Sequence, residues 1–171
     1  MHVATLVRNS NHALRDACKS QFIRLPQSEL PVSAGTGMPL PDTEEIDYLY
    51  VRMSREACRA DEIIPVNGDS MEPTYKDGDL LLVEHTDSLE AGEVGVFVVA
   101  GEGFVKEYRE DGLYSHNAEY DVIRPTEDDN AHCIGRVLGV VKDGQLASPK
   151  EQVILGEIYA GEEKRGVARA V

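Results

Sequence analysis

Basic residues are scarce in this sequence. Its 171 residues include 17 Lys and Arg against 31 Asp and Glu, which gives a formal charge of −14. A surface of that charge repels nucleic acids and anionic membranes unless a local basic patch offsets it. The densest basic spot is the single pair Lys164-Arg165. We therefore expect no direct DNA binding by these residues.

Long apolar runs, paired cysteines and metal-ligand patterns are also absent from the sequence. The longest apolar run covers residues 94–101, far short of the roughly 20 residues that cross a bilayer, and no signal-peptide core is present near the N-terminus. Three cysteines without a C-x-x-C pair indicate a reducing compartment. No His stands three or four residues from another His or a Cys. We expect a cytoplasmic protein with no membrane anchor, no metal and no cofactor.

The composition changes near residue 43. Residues 1–23 show loosely helical apolar spacing, whereas residues 24–42 contain four prolines and two glycines. Proline removes backbone donors and favours extended backbone before it. We therefore expect an N-terminal region over 1–42, made of a short helical arm and an exposed, extended linker, followed by a domain over 43–171 that ends in a C-terminal tail.

After residue 43, short runs of β-forming residues alternate with turn signals, which predicts a mostly β domain. The predicted strands cover residues 46–53, 63–66, 79–84, 94–100, 103–109, 113–115, 121–123 and 133–141. Ser54 suits the N-cap of a short helix over 54–60. In the tail, residues 151–159 fit either a strand or a helix.

The segment around Ser70 has the features of a nucleophile turn. It leaves a predicted strand, Gly68 permits an unusual backbone angle, and Pro73 suits the first turn of a short helix. Ser70 then lies where backbone N–H groups point outward, as a nucleophile with an oxyanion hole requires. A serine that merely caps a helix fits the same residues.

A serine nucleophile needs a base, and Lys106 is the best candidate. No G-x-S-x-G elbow is present, and neither His85 nor His116 has an evident orienting carboxylate. Lys106 follows the predicted hairpin turn 101–103 and lies beside the apolar strand 94–100. Burial there would remove its hydration and lower its pKa. A solvated surface lysine is the alternative.

Five motifs occur together in the order found in one family of self-cleaving peptidases. They are GDSMEPT at 68–74, DGD at 77–79, GFVK at 103–106, SHNAEY at 115–120 and IGRVLG at 134–139. On these motifs, the stretch from about 43 to 141 resembles the LexA-type serine peptidase domain of LexA, the lambda-type phage repressors and the UmuD proteins. The resemblance implies twisted β-sheets of the LexA and signal-peptidase type and a homodimer.

The resemblance also implies a mechanism and a cleavage site. Ser70 would be the nucleophile and Lys106 the general base, and the N–H groups of Asp69 and Ser70 would line the oxyanion hole. The family commonly cuts its own linker between Ala and Gly, so the implied scissile bond is Ala34–Gly35. The implied role is a transcriptional regulator switched in the SOS response to DNA damage, with the RecA–single-stranded-DNA filament as trigger.

The N-terminal part departs from the repressors. They carry a helix-turn-helix domain of about 60 residues or more before the linker, whereas 33 residues precede Ala34 here. Two interpretations stay open: a repressor whose DNA-binding part is missing, or a short-arm relative that acts in damage tolerance, like UmuD. A non-cleaving dimerisation module is a further alternative. A signal-peptidase-like enzyme acting on other proteins would normally carry a membrane anchor.

Overall fold

The computed structural model describes residues 21–28 and 47–169, and strands dominate this part of the chain. The strands are β1 (Phe22–Pro26), β2 (Tyr48–Arg52), β3 (Glu62–Pro65), β4 (Leu80–His85), β5 (Val94–Val99), β6 (Glu102–Arg109), β7 (Gly112–Tyr114) and β8 (His132–Val140). The helices are α1 (Arg55–Arg59) and α2 (Pro149–Arg169), with a short 3₁₀ turn at Glu127–Asp129.

The strands form two antiparallel sheets, which confirms the mostly β prediction. β1 and β2 make a two-stranded sheet, and the other six strands follow the order β3-β4-β8-β5-β6-β7. Seven of the predicted strands match β2–β8 to within two residues at each end. The strand predicted at 121–123 is wrong, because only Ile123 pairs there, in an isolated bridge with Leu113. Helix α1 is confirmed, with Ser54 Oγ accepting from the N–H of Ala57 at 3.0 Å.

Strand β1 lies where the sequence predicts the end of an arm helix and the start of an exposed linker. Residues 1–20 and 29–46 of that region lie outside the described residues. The helix predicted to reach residue 23 was wrong at Phe22 and Ile23, which lie in a strand paired with β2. At residues 24–26 the predicted extended backbone is confirmed, but the predicted exposure was wrong, because Leu25 is buried. Pairing with a strand distant in sequence, together with burial on it, outweighs the weak local helical spacing.

Two apolar clusters lie under alternating residues of β3 and β4. Ile64, Leu81 and Val83 belong to one cluster, which also receives residues of β5 and β6. Ile63 and Leu82, their chain neighbours, belong to the other cluster, which includes residues of β1 and β2. Successive strand residues point to opposite faces, so this part of the six-stranded sheet is buried on both sides.

The C-terminal tail forms a helix, so residues 151–159, which fit either a strand or a helix on sequence alone, are helical. Helix α2 buries Leu155 against Phe22, Tyr50 and Ala147, whereas Val153 is exposed. Leucine burial of this kind contributes about 1.5–3 kcal/mol, so packing on β1 and β2 holds the helix. None of the described helices is both long enough and apolar enough to cross a membrane.

Substitution of Gly135 tests the close packing of β8 between β4 and β5. A Cβ at Gly135 would lie 2.5 Å from Val83 Cγ1 and 2.8 Å from Glu84 O. Gly135→Ala should therefore lower the free energy of unfolding by about 1–3 kcal/mol. The matched control is Gly156→Ala in α2, where the nearest atom is 4.0 Å away and alanine should add about 0.5–1 kcal/mol. Urea unfolding measures both, and equal effects would contradict the packing described here.

Candidate active site

Ser70 lies on a turn that directly follows β3. Gly68 has a positive φ of 85°, which suits glycine, and its N–H donates to Asp77 Oδ1 at 2.7 Å. The N–H of Val66 donates to the carbonyl of Asp79 at 2.8 Å. These bonds close the base of the turn and present Ser70, half-buried, at its far end.

Residue Met71 fixes the turn to the core. Met71 is almost fully buried in the cluster formed by β3–β6, so the adjacent Ser70 is held at the surface of that cluster. The N–H of Glu72 donates to the carbonyl of Asp69 at 3.0 Å and closes the turn. The helix expected at Pro73 was wrong, because this residue lies in a turn. A helix-capping role for Ser70 is thereby excluded.

Lys106 lies on β6 with its amine directed at Ser70. The side chain is 4% exposed, which excludes the solvated surface lysine. Its Nζ lies 2.6 Å from Ser70 Oγ, and this pair is the central contact of the site. The neighbouring residue Val105 belongs to the same apolar cluster as Met71, so a single cluster positions both Ser70 and Lys106.

Burial determines the electrostatics of Lys106. Desolvation lowers the pKa of its ammonium group, as the sequence predicts, because an apolar environment disfavours the charged form. Among the described residues no carboxylate forms an ion pair with it. The Phe104 ring, with its centroid 5.8 Å from Nζ, is the neighbouring π face. A neutral amine beside Ser70 Oγ is therefore reached at lower pH than for a free lysine.

The backbone around Ser70 leaves two donors available. Among the described residues, neither the N–H of Asp69 nor that of Ser70 donates to a protein acceptor. Their carbonyls, in contrast, are both occupied by Asn117: its N–H donates to Ser70 O at 3.0 Å, and its Nδ2 donates to Asp69 O at 3.3 Å. This arrangement of free donors beside a hydroxyl is suited to bind an oxyanion.

Residues 115–120, which we call the clamp segment, connect the serine turn to β6. Besides Asn117, its residue Tyr120 donates from its hydroxyl to Asp69 Oδ1, and His116 bridges Thr74 Oγ1 at 2.6 Å and Glu107 Oε2 at 2.9 Å. Sequence reasoning missed these bridging contacts. The only sequence signal for them was the SHNAEY motif itself, since none of the partners is adjacent along the chain.

Both histidines have carboxylate partners, so the expectation that they lack them was wrong. His85 Nε2 lies 2.8 Å from Glu62 Oε1, and His116 Nε2 contacts Glu107. The partners lie on other parts of the sheet, where sequence spacing does not reveal them. His116 uses both ring nitrogens in contacts with Thr74 and Glu107, so neither of them is available to Ser70. Within residues 21–28 and 47–169, no group of His, Cys, Asp and Glu could hold a metal ion.

A narrow cleft lies beside the Ser70–Lys106 pair. It has a volume of about 50 Å³ and is also lined by Asn67, Met71 and Phe104. A space of that size suits a small side chain in a segment of chain bound across the serine. Ala34 and Gly35, the residues of the expected scissile bond, lie outside the described residues.

The site combines an antiparallel β domain with a serine in contact with a buried lysine, an arrangement that defines a class of serine peptidase-like domains. Comparison with known proteins identifies the family. Residues 29–138 match the peptidase S24-like family. The match covers more than half of the chain, and the chain belongs to this family. The resemblance to the LexA-type peptidases, drawn from the motifs, is thereby confirmed.

Individual relatives are LexA repressors. The LexA repressor of Teredinibacter turnerae is 31% identical over 136 residues, covering 72% of this chain and 68% of its own. Those of Clostridium kluyveri and Cellvibrio japonicus are 29% identical, over 145 and 154 residues, and cover 75% and 82% of this chain and 70% and 76% of their own. The protein is an S24 peptidase domain related to LexA repressors.

The lowered pKa of Lys106 predicts a pH-dependent cost to stability. At neutral pH the buried ammonium destabilises the fold, so Lys106→Met should raise the free energy of unfolding. Between the lowered pKa and the ordinary lysine value of about 10.4 the unfolded chain binds more protons, so wild-type stability rises with pH there. The difference in the free energy of unfolding between Lys106→Met and wild type should therefore decrease as the pH rises through that window.

Chemical unfolding of both proteins from neutral to alkaline pH measures this difference. Lys142→Met makes the same chemical change at an exposed position and controls for net charge. A difference between Lys106→Met and wild type that stays constant with pH would contradict a buried ammonium.

Proposed function

We propose that this domain is a serine endopeptidase that cuts its own chain at Ala34–Gly35 through a Ser70–Lys106 dyad. The observation that carries the proposal is the 2.6 Å contact between Lys106 Nζ and Ser70 Oγ, with the lysine almost fully buried. A surface lysine stays charged at neutral pH and makes a poor base. Burial favours the neutral amine that can accept the serine proton.

The reaction runs in two halves. Neutral Lys106 takes the hydroxyl proton of Ser70 while Oγ attacks the carbonyl carbon of Ala34, and the N–H groups of Asp69 and Ser70 donate to the resulting oxyanion. The C–N bond breaks as the lysine ammonium protonates the leaving amine of Gly35. Water, deprotonated by the same lysine, then attacks the acyl carbon of Ala34. The bond from this carbon to Ser70 Oγ breaks, and the lysine ammonium returns the proton to Oγ.

The position of β1 supports cleavage within one chain. Gln27 forms a parallel bridge with Ile63, and the N–H of Ser28 donates to Ile63 O at 2.9 Å. The chain therefore leaves Ser28 in the direction in which β3 runs toward Ser70. Ala34 follows Ser28 by six positions, enough to span about 20 Å when extended. Such a tether gives the linker a high effective concentration at the serine.

The wider role that we propose is that of a switch in a transcriptional regulator of the LexA and phage-repressor type, acting in the DNA-damage (SOS) response. The support is the similarity to LexA repressors over most of their length. The domain would act as a homodimer in the cytoplasm, and the RecA–single-stranded-DNA filament would trigger it. The formal charge of −14 disfavours direct DNA contact by these residues. A UmuD-like role in damage tolerance uses the same chemistry.

Alkaline incubation of the purified protein tests self-cleavage. Near pH 9 to 10, about where lysine loses its proton, intact-mass spectrometry should find fragments of 34 and 137 residues. Adding the RecA filament at neutral pH should produce the same fragments. A folded protein that stays whole at alkaline pH for days would overturn self-cleavage and favour the non-cleaving dimerisation module.

Substitution of the dyad tests which residues do the chemistry. Ser70→Ala and Lys106→Ala should each reduce cleavage by at least about 10³-fold, because removal of a nucleophile or its base abolishes the covalent route. Ser88→Ala and Lys142→Ala make the same changes at exposed positions and should cut like wild type. Cleavage that persists in either dyad variant would exclude the dyad. Wild-type cutting of an added Ser70→Ala copy would instead indicate action on other chains.

A further inference from the structure

We propose that β2 and α2 form a docking groove that holds strand β1 after the linker is cut. The ligand of this groove is the N-terminal product of the chain's own cleavage. The inference rests on the proposed function, which places the cut between β1 and β2. Cleavage then nicks the molecule, and release of everything before Ala34 is a separate step.

The pairing of β1 does not depend on the linker. Five antiparallel pairs join the two strands, from Phe22 opposite Arg52 to Pro26 opposite Tyr48. Backbone bonds extend the pairing at both ends, since the N–H of Met53 donates to Gln21 O at 2.9 Å, and that of Gln27 to Asp47 O at 2.8 Å. A cut anywhere between residues 28 and 47 leaves all of these contacts in place.

Two apolar anchors bury β1 on the rest of the domain. Phe22, 3% exposed, packs with Tyr50 and Leu155 in the cluster beneath α2. Leu25, 4% exposed, packs with Val51 and other residues in the cluster shared with β3 and β4. The strand thus inserts side chains into two separate clusters, which is the mode by which an added strand gains affinity from its backbone and specificity from alternate side-chain pockets.

A third anchor, Arg24, joins β1 to the far part of α2. Its Nη1 lies 2.8 Å from Glu163 Oε1. Its guanidinium carbon lies 3.6 Å from the centroid of the Tyr48 ring and 5.1 Å from that of Tyr159. Guanidinium groups stack on aromatic faces while they pair with carboxylates. Helix α2 therefore contacts the strand at Phe22 through Leu155 and at Arg24 through Glu163 and Tyr159.

The charges of the two cleavage products are complementary. Residues 1–34 contain four Lys and Arg against two Asp and Glu, a formal charge of +2, whereas residues 35–171 contain 13 against 29, a formal charge of −16. Opposite charge favours association and speeds re-encounter of separated fragments. Residues 1–34 are thus attracted electrostatically to residues 35–171.

The groove is not a property expected from the family match. That match covers residues 29–138, and both β1 and α2 lie outside it. The chemistry of the segment that the groove binds follows from β1. It is an extended segment with an aromatic anchor (Phe22), an arginine two residues later (Arg24) and an aliphatic anchor directly after it (Leu25).

The test is whether the two fragments stay together after cutting. Wild-type protein is taken through self-cleavage, returned to neutral pH and analysed by native mass spectrometry and size-exclusion chromatography. We expect fragments of 34 and 137 residues in one complex, separating only in denaturant. A free 137-residue fragment under native conditions, at micromolar concentration, would overturn the proposal.

Variants identify the contacts that hold the strand. Phe22→Ala should weaken fragment binding by about 100-fold or more, because it empties a buried aromatic site, and Arg24→Ala should weaken it less. Val153→Ala, at an exposed position of α2, should leave binding unchanged. Circular dichroism checks that each uncut variant is folded. If Phe22→Ala does not fold, Arg24→Ala decides, and binding equal to wild type would overturn the proposal.

A second experiment tests binding in the groove independently of self-cleavage. The experiment uses a Ser70→Ala chain, which should not cut itself. Residues 31–37 are replaced by the recognition site of a sequence-specific protease, and adding that protease cuts the linker. Retention of the N-terminal piece supports the groove whether or not the natural chain cuts itself. Its release after external cutting overturns the groove while leaving self-cleavage intact.

Discussion

The desolvation of one amine is the constraint on which the rest of the structure depends. Lys106 can lose its hydration only if β6 lies against a covered face, and the cluster that contains Val105 provides that cover. The same cluster receives Met71, which brings the preceding Ser70 to the amine. Core packing and the Ser70–Lys106 contact are thus a single arrangement, and loosening the core would also separate the serine hydroxyl from the lysine amine.

Polar contacts then determine which groups of the serine turn stay available. The clamp segment takes the carbonyls of Asp69 and Ser70 through Asn117 and leaves their N–H groups without protein acceptors in the described part of the chain. His116 adds a link between the turn and β6 through Thr74 and Glu107. A pre-set geometry of this kind lets donors act on a developing charge without reorganising.

The sequence predicted those parts of the fold that local chemistry determines. Seven strands and helix α1 follow from alternation and turn residues, whereas the pairing of Ser70 with Lys106 was implied by the resemblance to the LexA-type peptidases. It did not predict β1, because its pairing with Tyr48–Arg52 depends on residues distant along the chain. It also missed the partners of His85 and His116, since a carboxylate on another strand leaves no mark in local spacing. The catalytic roles of Ser70, Lys106 and Asp69 stay predictions.

The position of β1 has a kinetic consequence. In the intact chain the strand is tethered to β2 through residues 27–47, so its occupancy of the groove is independent of how much protein is present. A cut would turn this first-order contact into a second-order one, governed by mass action. The lifetime of the complex between the two fragments would then depend on dilution and on competing strands. The cut itself would be irreversible, but binding of the N-terminal fragment would remain reversible and depend on concentration.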